Sequence, residues 1–81
     1  MEKKARAQHA ERLLNDDVLQ EAFSVVKEYH TERMMRANTA DGDVLEARRD
    51  FLALERVIGQ LRSFVSDGRI LEKRDRDREN D

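Results

Sequence analysis

Few side chains in this chain could do chemistry. His9 and His30 are its histidines, and Ser24, Ser63 and Ser66 its serines. Nucleophilic catalysis needs a hydroxyl or thiol beside a base that a third group orients. There is no cysteine, and no GxSxG, HExxH or Gly-rich phosphate loop. A metal site on a helix wants ligands at i,i+3 or i,i+4. Around His30 those positions hold Val26, Lys27, Arg33 and Met34; around His9 they hold Ala5, Arg6, Arg12 and Leu13. Neither histidine has a carboxylate on its own face. His30 reads as a half-buried histidine beside Tyr29. The expectation is a protein that is not an enzyme and has no cofactor, metal or small-molecule substrate.

Arginine is the other chemistry-bearing type. Arg33, Arg36, Arg48 and Arg49 could cluster as a nucleic-acid patch, but Asp41, Asp43 and Glu46 fall in the same region and dilute it. The first helix, the Asn15 corner and the second helix superficially resemble a helix-turn-helix. The would-be recognition helix, however, opens with Asp16, Asp17 and Glu21. Acids there oppose phosphate, because the N-terminal residues of such a helix meet the groove. The net charge of −2 adds no pull toward nucleic acid or anionic membrane. The arginines read equally as helix-end cations and surface pairs such as Glu32–Arg36.

The elements that would position these residues are helical. Charged residues make up 42% of the chain and proline is absent, yet the apolar residues are periodic, as in long helices. A first helix is predicted over about 2–14, with thin apolar content (Ala5, Ala7, Ala10, Leu13, Leu14). Asn15, or alternatively Asp17, caps a second helix over 16–36. Ala37 to Gly42 forms a loop, with Asp-Gly suited to left-handed backbone. A third helix over 43–66 opens on the capping box Asp43-Val44-Leu45-Glu46. Gly68 is the expected left-handed stop, after which Ile70 and Leu71 can fold back on the helix end. Residues 72–81 read as a solvated charged tail, helical only with support from a partner or from the pairs Glu72–Arg76 and Lys73–Asp77. Residues 1–71 are expected to form a single domain. No apolar run approaches the roughly 20 residues of a membrane span, and the N-terminus leads into polar sequence.

The third helix carries the clearest pattern. Val44, Ala47, Phe51, Leu54, Ile58, Leu61 and Val65 follow a 3,4 spacing, the seam that holds one face against another helix. Leu19, Phe23 and Val26 on the second helix oppose Phe51, Leu54, Ile58, Leu61 and Val65. These residues are either an internal core or a protein interface; the spacing serves both. Val18, Val25, Met34 and Met35 widen the apolar surface beyond what one such contact covers. The expected fold is all-α: an antiparallel helical hairpin with a short N-terminal helix, completed by oligomerisation.

The stretch Ala10-x-x-Leu13-Leu14-Asn15-Asp16-Asp17-Val18-Leu19-Gln20-Glu21-Ala22-Phe23, with Leu45-Glu46-Ala47-Arg48 and Leu61-Arg62-Ser63-Phe64-Val65-Ser66-Asp67-Gly68-Arg69-Ile70, resembles small helical accessory proteins of tailed bacteriophages and prophages, encoded near head-assembly and packaging genes. The resemblance implies a homo-oligomeric component of virion assembly or genome packaging, in the host cytoplasm or on the virion. Its partners would be a phage structural protein or a host protein. A small terminase-like packaging subunit with DNA contact and a phage-encoded inhibitor of a host protein are the alternatives. It carries no catalytic residue over to this chain.

The seam has a direct test. Ile58→Asp should unfold or dissociate the protein, because an unpaired charge is costly to bury. Unchanged helicity and assembly state, measured by circular dichroism and light scattering, would mean that the seam is misassigned.

Overall fold

The computed structural model describes residues 1–80. Asp81, the end of the expected tail, lies outside the described residues. The described residues form three helices and no strand: α1 (Lys3–Leu14), α2 (Asp17–Met35) and α3 (Asp41–Glu79).

Helix α1 starts at Glu2, whose carboxylate accepts hydrogen bonds from the backbone N–H groups of Lys4 (2.9 Å) and Ala5 (3.2 Å). Two donors at the start of a helix, which lack partners within it, are thereby satisfied. Asn15 ends this helix as its C-cap and Asp17 is the first residue of α2, so neither of the two expected residues is the N-cap of the second helix. The Asn15 N–H donates to Glu11 O at 3.1 Å. Helix α2 then opens on Asp17, an acid at the positive dipole end.

Helix α3 begins two residues before the expected capping box. Asp41 and Asp43 both lie in its first turn, and Gly42 is inside the helix rather than in the loop. The larger correction is at the other end. The helix does not stop at Ser66; it runs through Gly68 to Glu79. Gly68 has no left-handed backbone, and Ile70 and Leu71 continue the helix instead of folding back. The charged segment after Leu71 is rich in Glu, Lys and Arg, which lose little on entering a helix. It is also tied down, since Lys4 of α1 forms an ion pair with Asp75. The expected pairs Glu72–Arg76 and Lys73–Asp77 are not among the ion pairs of the described residues.

The chain divides into two compact units. The first joins residues 1–16 to the part of α3 from Ile58 onward; the second spans Asp17–Val57. In the first, Ala7, Ala10, Ile58 and Val65 are buried, and Gly68 is buried with them. A Cβ built on Gly68 would overlap Ala7 Cβ and lie 3.7 Å from its Cα. Gly68 is therefore where the backbones of α1 and α3 come close. In the second unit Lys27 pairs with Glu55 at 2.5 Å, and Arg33 lies 4.0 Å from Glu46 and 3.7 Å from Asp50. Positions that rise along α2 thus fall along α3, and Ala47 is fully buried in this contact.

Gly59 and Gly68, two of the three glycines of α3, predict opposite effects. Gly68→Ala should lower stability by about 1–3 kcal/mol, the usual cost of overpacking a tight contact. A Cβ at Gly59 meets nothing within 4 Å, so Gly59→Ala should raise stability by about 0.5–1 kcal/mol through helix propensity. Urea unfolding of both variants measures the two changes.

Candidate interaction surface

The 3,4 seam lies on the inner face of α3. Ala47, Ile58 and Val65 are buried, and Val44, Phe51, Leu54 and Leu61 are half-buried. On α2, Leu19 and Phe23 are half-buried, whereas Val26 is 42% exposed. At 100° per residue, Leu19, Phe23, His30 and Met34 share one face of α2, and Val26 sits at its margin. More apolar surface is left uncovered along α2 and the first half of α3. Val18 is 76% exposed and Met35 80%, and Val25, Tyr29, Leu45 and Val57 are each more than half exposed.

The spacing of the seam continues past the expected helix end. After Val65 come Gly68, Leu71 and Asp75, at intervals of 3, 3 and 4, all buried or half-buried. That continuation was the signal in the sequence for a longer α3. Ala7 and Ala10, which looked like thin content, are two of the buried residues. Small side chains are what a close helix–helix approach at Gly68 demands.

The four arginines are not assembled into one patch. Arg33 lies between Glu46 and Asp50 and over the Tyr29 ring at 5.7 Å. Its positive charge is therefore largely offset. Arg36 follows the end of α2 and forms no ion pair with Glu32 among the described residues; Arg48 and Arg49 are exposed and unpaired. His30 is half-buried with its ring edge toward Tyr29, the centroids 5.3 Å apart. No cluster among the described residues has the His, Asp, Glu or Cys composition to hold a metal, and no described helix is long and apolar enough to cross a membrane.

The first unit carries an apolar groove of about 310 Å³. Leu13, Leu61 and Phe64 wall it, Met1 and Ala10 contribute, and Arg6 and His9 are its polar members. The Arg6 guanidinium lies 4.1 Å above the Phe64 ring, a cation–π arrangement. Its Nε is shielded from water and has no hydrogen-bond partner. This pairing joins residues 58 apart in sequence, and nothing in local spacing announces it. Comparison of the chain with protein-family models, with curated proteins and with solved structures gives no match.

The far end of this unit is held by charge. The hydrogen bond from Lys4 holds the Asp75 carboxyl below its ordinary value of 3.8 and raises Lys4 above 10.5. The N–H groups of Lys4 and Ala5 lower Glu2 below 4.5. A depressed carboxyl stabilises the fold above its ordinary value and loses that effect as pH falls through its lowered one. A raised lysine stabilises below its ordinary value and loses the effect as pH rises through its raised one. The thermal midpoint of the native protein should therefore exceed that of Asp75→Asn between these limits. The difference should vanish as pH falls well below 3.8 or climbs past 10.5. Because both side chains are only half-buried, added salt should shrink it. An advantage constant from acid to alkali would mean that the pair contributes nothing.

Proposed function

We propose that this chain is a non-enzymatic, self-associating helical binding protein, an antiparallel hairpin whose apolar faces are covered by further copies. The observation that carries this reading is how little the chain buries. Among the described residues the buried hydrophobic ones are Ala7, Ala10, Ala47, Ile58 and Val65, and no large side chain is fully buried. The accessible surface is 6564 Å². A compact monomer of 9.5 kDa would expose about 5,000 Å². Two separate compact units of half that mass would together expose about 6,000 Å². The surface exceeds that of two separate compact units by about 500 Å², and it includes the exposed apolar side chains of α2, Val18, Val25, Tyr29 and Met35. Covering apolar surface stabilises by roughly 25 cal/mol per Å², so association is the direct way to gain what folding alone leaves out.

The proposed setting is bacteriophage head assembly or genome packaging. It rests on the resemblance of the Ala10–Phe23 and Leu61–Ile70 stretches to small helical phage proteins. A protein-binding role is favoured over DNA contact because Arg33, in the middle of the arginine region, already faces Glu46 and Asp50.

Light scattering on a sizing column, over a wide concentration range and at two salt concentrations, tests the reading. The expected result is a mass that is a fixed multiple of 9.5 kDa over the upper concentrations. A monomer at every concentration overturns it.

A further inference from the structure

Two unpartnered surfaces of this chain match each other in shape and charge. On α2, Val18, Ala22, Val25 and Tyr29 are spaced 4, 3 and 4 and form one exposed apolar ridge. Beside it, Asp17, Glu21, Glu28 and Glu32 are spaced 4, 7 and 4 and form a second, acidic ridge. None of these acids takes part in an ion pair among the described residues. The helix has two cations, Lys27 and Arg33, and both are engaged by acids of α3. The other surface is the groove walled by Leu13, Leu61 and Phe64. Its Arg6 has no carboxylate partner among the described residues, and its Nε is unsatisfied. Arg6 is half-buried, and a guanidinium without a carboxylate partner favours an acid beside its accessible part.

We propose that the outer face of α2 in one copy seats in the Arg6–Phe64 groove of a second copy. Val25 enters the groove between Leu13, Leu61 and Phe64. Glu21 and Glu28, at i−4 and i+3 from Val25, flank it on one side and reach Arg6. This inference rests on the self-association proposed above and names the surfaces that carry it. Pairing α2 with α2 across a two-fold axis would bring two acidic ridges together, which like-charge repulsion opposes. A contact between two different surfaces is heterologous, so each copy offers both and the assembly extends until a ring closes or a filament grows.

A charge exchange tests it. Glu21→Lys with Glu28→Lys lies on an exposed helix face and should leave helicity intact while weakening self-association at least tenfold. Arg6→Glu should weaken it similarly. Mixing the two variants should restore association, because the Lys-bearing face then meets the Glu-bearing groove, and each remaining wild-type surface finds its wild-type partner. Full association of the Glu21→Lys, Glu28→Lys variant overturns this contact while leaving self-association in place. Folded variants that stay dissociated when mixed overturn it too. A wild-type chain that is monomeric at every concentration removes both this inference and the reading beneath it.

Discussion

The inner face of α3 is the constraint to which the other helices answer. Its inward positions recur at threes and fours from Val44 onward, within a helix of 39 residues. The part of α3 up to Val57 packs with α2 in one compact unit, and the part from Ile58 packs with α1 in the other.

The two pairings solve the packing problem differently. Around Gly68 the contact is close, with Ala7 and Ala10 presenting methyl groups where larger side chains would not fit. Around Ala47 the contact is edged by charge, with Lys27 and Arg33 reaching across to Glu55, Glu46 and Asp50. Exposed ion pairs contribute little each. Their clearer effect here is to occupy both cations of α2 and leave its outer acids without partners. The same arrangement that orders the inside of the second unit therefore sets the sign of its outside.

The proposed binding role draws on the apolar surface of the first unit. Here the buried residues are small or aliphatic, and the groove beside Phe64 has a single cation at an otherwise apolar surface. The proposed contact places an apolar side chain next to an acid at this surface.

The sequence by itself determined the helical class, the break near Asn15, the loop before α3 and the inward seam from Val44 to Val65. Those features are written in local spacing and capping, which act within a few residues. Only the tertiary structure decided what Gly68 does. A glycine followed by a charged run has the local signature of a helix stop, and the same glycine serves a close approach when another helix lies against it. The neighbour is Ala7, 61 positions away in the chain, and no local rule sees it. The fate of the charged segment followed from the same contact, since Lys4 meets Asp75 once α1 lies on α3. Arg6 likewise gained its place over Phe64 from that packing. Periodicity fixes which face of a helix is apolar; which segment covers that face depends on contacts between residues far apart in sequence.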